Sequence, residues 1–270
     1  MTSRSRARRL ADRLTSRDRA ILESLQLVRL ATGQQLGRLH VAAGLPATQA
    51  RKTRAALQRL TTLGLVVRLR RRIGGVRAGS NGFIYGLSGL GQAVLDLGYE
   101  PARRHRRVSE TKPAFQDHTL AVTEAYVQLV ERDRAGRAEL LEFASEPACW
   151  RQFSGVAGEL VTLKPDAFAR LAADGYELSV FLELDLDTES LPTISRKLEV
   201  YRAYWHTGIE QARFGIFPKT WWLVPNTRRL DAVARTIQRL PDEQQALFTV
   251  CLTREAADLL THVLVEGGAR

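Results

Sequence analysis

Apolar positions recur three and four residues apart through the first third of the chain and two apart in its middle, which marks a change from helices to strands. Leu14, Ile21, Leu22, Leu25 and Val28 form a helical stripe behind Thr15-Ser16-Arg17-Asp18, a helix start with Thr15 or Ser16 as N-cap. Thr32 caps a second helix, from Gly33 to about Leu39. Gly44-Leu45-Pro46 is a turn. Thr48 opens a third helix that runs through Leu57 and Leu60 to Leu63 and stops at Gly64. Residues 65–69 and 83–87 read as strands on either side of a polar loop rich in Gly and Arg. Ser88 caps a further helix, Gly89 to Leu97, that either packs back on this region or mediates a homodimer contact. The pattern divides this half into a basic tail (1–14), a domain (15–99) and a basic linker (100–114).

The second half, 115–265, reads as one mixed α/β domain. Phe115 to Arg134 is a helix with Leu120, Val122, Ala125, Tyr126, Leu129 and Val130 on its buried face. Residues 140–143 make a short strand, and residues 145–160 read as an irregular excursion. Leu163-Lys164-Pro165-Asp166-Ala167-Phe168 leads to an Asp174-Gly175 turn signal and then to Tyr176–Leu186. Along Val180 to Leu186 the period is two. Leu182, Leu184 and Leu186 point one way; Phe181, Glu183 and Asp185 point the other. A hairpin partner brings Asp166 close to these acids. Pro192 sits in the first turn of a helix whose core stripe is Ile194, Leu198, Tyr201 and Trp205. A buried strand from Trp221, a helix from Thr227 to Leu240, a strand from Ala246 to Leu252 and a last helix, Arg254 to Leu260, complete the pattern.

The chain has 270 residues, 44% of them hydrophobic and 26% charged, enough for two domains with real cores. No apolar run approaches the roughly 20 residues of a membrane span. The basic start, Met1 to Arg6, has no apolar segment behind it and does not read as a secretory signal. Cys149 and Cys251 are the only cysteines, which fits a reducing, cytoplasmic setting and gives neither a disulfide framework nor a cysteine zinc site.

Charge changes the picture most. The net +11 is unevenly spread: residues 1–112 hold 23 Lys+Arg against 6 Asp+Glu, and residues 113–270 hold 17 against 23. A basic half beside an acidic half implies a polyanion partner for the first. Duplex DNA is the expected partner, and no membrane is. Thr48, Gln49, Arg51, Lys52, Arg54 and Arg59 lie on the third helix, where side chains suit groove entry and phosphate contact. Arg70, Arg71, Arg72 and Arg77 lie in the loop between the strands. Three helices followed by a hairpin with a Gly/Arg tip resemble a winged helix-turn-helix domain. A merely solvated arginine face is the competing explanation.

In the second half the order helix, three strands, helix, strand, helix, strand resembles the core of the PD-(D/E)xK nuclease-like fold. That resemblance implies Asp166 and Glu183 as ligands of Mg²⁺, with Asp185 standing where the family has lysine and adding a metal ligand instead. Lys197, on the next helix, is the candidate for the displaced lysine. His118, Glu124 and Tyr201 are expected close behind these groups. Three acids and a scissile phosphate exceed what one Mg²⁺ offsets, so cleavage is expected to be weak or absent.

Both halves together, with His-Thr-Leu-Ala-Val-Thr-Glu from His118, Lys-Pro-Asp-Ala from Lys164, Leu-Glu-Leu-Asp-Leu-Asp-Thr-Glu-Ser from Leu182, and Lys197 with Tyr201, resemble the replication-relaxation family. The resemblance implies a DNA-associated role in replication, mobilisation or regulation of a plasmid or other mobile element, alongside mobilisation or replication proteins. Two other readings compete: a Mg²⁺-dependent endonuclease targeted by the winged helix, and a transcriptional regulator whose second half binds a ligand or partner. A relaxase-type nucleophile at Tyr201 or Tyr204 lacks the His-x-His metal site that chemistry needs. No phosphate-binding Gly loop with Lys supports an NTPase.

Overall fold

The structure, a computed structural model, describes residues 3–41, 44–69, 83–97 and 113–267. The chain divides into two compact units, Met1–Val127 and Gln128–Arg270. The first begins with α1 (Ser3–Ala11), so the expected tail is helical; Ala7 is fully buried and α1 packs on α5 (Gly89–Leu95). Two capping boxes start the next helices. Thr15 and Asp18 cap α2 (Ser16–Val28) reciprocally, and Thr32 and Gln35 do the same for α3 (Gly33–His40). Between them lies β1 (Leu30–Thr32), a short strand the alternation is too brief to announce. Next comes α4 (Pro46–Thr62), with Pro46 at its first turn, two residues earlier than the sequence implies.

The strands β2 (Val66–Leu69) and β3 (Ile84–Leu87) follow as expected, and β1 joins them in an antiparallel sheet of order β1-β3-β2. The loop between β2 and β3, with Arg70, Arg71, Arg72 and Arg77, lies outside the described residues, as does the linker up to residue 112. Gly91 in α5 is required by close approach: a Cβ there would overlap the Leu65 carbonyl oxygen.

Helix α6 (Pro113–Arg134) contains the division between units, after Val127. Its first part belongs with unit one because Leu120 packs with Leu30 and Ile84, and the Thr123 hydroxyl donates to the Leu30 carbonyl at 2.6 Å. The second domain therefore takes over within the helix rather than before Phe115.

Unit two is built on β4 (Glu139–Ser145), β5 (Arg151–Ser154), β6 (Leu160–Leu163), β7 (Ala167–Ala173) and β8 (Tyr176–Leu184). Then come α7 (Leu191–His206), α8 (Ile209–Phe214), β9 (Lys219–Val224), α9 (Thr227–Ile237), α10 (Asp242–Gln245), β10 (Phe248–Leu252) and α11 (Ala256–Gly267). Five strands form one sheet, order β10-β9-β8-β7-β4. β4, β7 and β8 run antiparallel; β8, β9 and β10 run parallel. The Asp174-Gly175 turn joins β7 to β8, with both residues at positive φ, 50° and 83°. The segment expected as irregular holds the β5–β6 hairpin instead. The fold is mixed α/β, as the sequence implies.

Strand alternation splits the sheet residues. Phe168 and Phe181 join Ile194, Leu198, Tyr201 and Tyr204 of α7 and Trp222 of β9 in one aromatic core. Tyr201 meets Phe181 at 5.9 Å and Trp222 at 6.2 Å between ring centroids, tilted or edge-on, as aromatic quadrupoles prefer. This packing fixes the height of α7 over the sheet, and hence where its polar side chains reach.

Candidate functional site

Each unit carries one arrangement of charged residues with chemical potential. In unit one it is the outward face of α4. Thr53, Leu57 and Leu60 turn inward and are buried, which leaves Arg51, Lys52 and Arg54 exposed on the opposite side. Thr48 and Gln49 are half-buried, and Gln49 Nε2 donates to the Gly44 carbonyl at 2.9 Å, bracing the start of the helix. Arg59 corrects the expectation most clearly. Its guanidinium pairs with Asp18, a fully buried carboxylate in the α2 capping box, and so ties α4 to α2. Burial pushes the Asp18 carboxyl up, but the Thr15 hydrogen bonds and Arg59 outweigh it and hold it below its ordinary value.

Glu124 also belongs to unit one. Arg38 Nη1 donates to it at 2.6 Å and Gln35 Nε2 at 3.1 Å. His118 lies on the same part of α6. Neither stands among the acids of unit two that the sequence reading places beside them; the apolar stripe of α6 holds this part of the helix on unit one.

In unit two, Asp166, Glu183, Lys197 and Tyr201 do come together. Asp166 precedes β7, and its Oδ2 accepts the Leu184 backbone N–H at 2.7 Å, closing the end of β8. Glu183 is 1% exposed. Its Oε2 accepts from Lys197 Nζ at 2.9 Å and its Oε1 from the Tyr201 hydroxyl at 2.7 Å. Lys197 and Tyr201 are one turn apart on α7, so the helix lowers both donors onto one carboxylate. The ammonium also meets Glu189 Oε1 at 2.8 Å.

Burial and then the neighbouring Asp166 charge push the Glu183 carboxyl upward, against the pull of Lys197 and the two hydrogen bonds. For Lys197 burial alone would favour the neutral amine; Glu183, Asp166 and Glu189 outweigh it and hold the ammonium charged. Burial and Glu183 push the Tyr201 phenol well above its ordinary value, so it acts as a hydrogen-bond donor and not as a nucleophile.

Asp185 departs from the expected role of metal ligand. It is 3% exposed, just past the end of β8, and Arg229 of α9 donates to its Oδ2 through Nε at 2.7 Å. Its Oδ1 accepts the Asp187 backbone N–H at 2.7 Å. Arg229 Nη2 further donates to the Glu189 carbonyl at 2.6 Å, and Arg228 holds Asp187 at 2.5 Å. The acidic loop after β8 is thus pinned by α9. Among the described residues, no group of three or more His, Cys, Asp or Glu side chains is disposed to hold a metal ion.

Two participants escape the sequence reading. Glu189 sits in the quoted acidic run, but nothing in its spacing pairs it with Lys197. Arg229 announces itself only as the third residue after the Asn226 cap. A second buried acid repeats the pattern of Glu183: Glu210 accepts from the Tyr204 hydroxyl at 2.7 Å and from Arg151 Nε at 2.7 Å. Arg151 in turn lies over the Phe168 ring at 5.0 Å from its centroid.

Among the described residues no helix is long and apolar enough to cross a membrane. No curated protein and no solved structure matches the chain. The family model described as Replication-relaxation matches residues 22–220, from the second turn of α2 to the start of β9 and so across both the basic helix and the carboxylate centre. The chain belongs to the replication-relaxation family.

Proposed function

We propose that this chain is a duplex-DNA-binding protein acting in the replication or mobilisation of a plasmid or other mobile element. In this reading unit one is a winged helix-turn-helix domain that enters DNA with α4, and unit two is a PD-(D/E)xK nuclease-like domain that does not cleave. The observation that carries the first part is the exposed face of α4, with Arg51, Lys52 and Arg54 unburied on a helix whose other side is locked into the core. Family membership supports the setting.

The second part rests on the order of the sheet, an antiparallel meander followed by a parallel strand beyond a helix, and on the state of the acids. A divalent cation needs oxygen ligands that can face it, with water completing its shell. Both oxygens of Glu183 and both of Asp185 already accept donors from the chain. This donor set does not fit Mg²⁺. The endonuclease reading has one observation in its favour, the lysine beside Glu183, which is where a group stabilising phosphate charge would stand.

Incubation of supercoiled plasmid with the full chain and Mg²⁺ or Mn²⁺ tests both parts on one gel. Retarded, un-nicked plasmid is the expected result. Nicking that disappears in Asp166→Ala, Glu183→Ala and Lys197→Ala would promote the endonuclease.

A further inference from the structure

We infer that Lys197 is the resident cation of the unit-two carboxylate centre, filling the place a divalent ion would take, so that removing its ammonium creates a divalent-cation site there. The inference deepens the nuclease-like reading of unit two and rests on it.

Oxygens of two acids from different elements converge on one point, and the ammonium sits at that point. Lys197 Nζ is 2.9 Å from Glu183 Oε2 and 2.8 Å from Glu189 Oε1. Asp166 lies within electrostatic reach of both Glu183 and Lys197. Charge-assisted N–H···O contacts of this length are as close as an ammonium comes to carboxylate. A hard cation would draw the same oxygens in to about 2.0–2.2 Å, a movement of a few tenths of an ångström to just under one. Glu189 Oε2 is buried without a hydrogen-bond partner among the described residues, an acceptor left over once Nζ has taken Oε1.

The alternative cation holders are fixed. Asp185 is locked to Arg229 and Asp187 to Arg228, so neither acid swings into the centre when Lys197 is lost. The lysine side chain is 32% exposed, which gives water and an ion a way in once the stem is cut back. With Lys197 gone, three carboxylates in low-dielectric surroundings repel one another. A divalent ion is the one simple ligand that restores their balance.

The experiment is a thermal-unfolding series on the full chain in chelator and with added MnCl2, for wild type, Lys197→Ala and the double variant Lys197→Ala/Glu183→Gln. Wild type should melt at the same temperature in both conditions. Lys197→Ala should melt lower in chelator and recover most of the loss with Mn²⁺. The double variant should recover little, because an oxygen ligand has become an amide. If Lys197→Ala does not fold in chelator, refolding from denaturant with and without Mn²⁺ replaces the melt. Recovery with the ion alone supports the inference, and failure in both conditions overturns it. A Mn²⁺ response in wild type that Asp166→Asn abolishes would also overturn it, because ion and ammonium would then coexist. Such a response without plasmid nicking leaves the non-cleaving reading standing; with nicking, both fall.

Discussion

Tyr201 donates its phenolic proton to Glu183 at 2.7 Å, with each side chain 1% exposed, and so covers one oxygen of the acid most deeply set in unit two. Lys197 covers the other at 2.9 Å. A carboxylate placed in an aromatic core without such donors would face the full cost of desolvation. The stretch of α7 from Lys197 to Tyr201 is what lets the sequence keep an acid there.

Removing either end of this arrangement should be costly, and unequally so. Glu183→Ala leaves a buried phenol and a half-buried ammonium without their acceptor, and should lower unfolding free energy by about 3–5 kcal/mol. Tyr201→Phe removes only one donor and should cost about 1–3 kcal/mol. Urea unfolding followed by tryptophan fluorescence reads both. Equal losses for the two variants would mean that Tyr201 matters through packing and not through its hydroxyl.

The two arginines of α4 that the sequence treats alike should behave differently. Arg59 completes the Asp18 capping box, so Arg59→Ala should destabilise unit one by about 1–2 kcal/mol. Arg51 is exposed, so Arg51→Ala should change stability by less than about 0.5 kcal/mol while weakening DNA binding. Chemical denaturation of each variant beside a duplex-binding titration separates the two roles. Stability loss on Arg51→Ala equal to that on Arg59→Ala would contradict them.

The thiols give a pH dependence with a definite sign. Burial pushes Cys149, near Asp166, and Cys251 from the ordinary 9.0 up to about 12. Between those values the unfolded chain ionises its thiols and the folded chain does not. Their contribution to stability is therefore full below pH 9.0 and is lost as pH rises through about 12. A Cys149→Ala/Cys251→Ala variant should show a flatter loss of stability over that window. At neutral pH both thiols should resist a maleimide until the protein unfolds. Fast labelling of the native chain would contradict their burial.

Much of this was legible in the sequence, where the signals are local. The alternation through Val180–Leu186 and the Asp-Gly turn put Asp166 near Glu183, and the four-residue spacing of Lys197 and Tyr201 put both above them. What was not legible depends on pairings far along the chain. Asp185 looks like a third ligand until Arg229, 44 residues later, takes it. Arg59 looks like a phosphate contact until Asp18, 41 residues earlier, takes it. The β5 strand was hidden because Arg-Gln-Phe-Ser buries only Phe153, so no apolar alternation marks it.

Duplex DNA binding by the full chain, titrated over a range of salt, is the most direct measurement. Affinity should be highest at low salt and fall linearly on logarithmic axes, because each phosphate neutralised releases a counterion. Changing Arg51, Lys52 and Arg54 together to alanine should weaken binding at every salt concentration and reduce the slope by about three, roughly one for each contact removed. A chain with no affinity for duplex DNA at low salt, or a triple variant that binds with unchanged affinity and slope, would contradict the assignment of α4 as the DNA-entering helix.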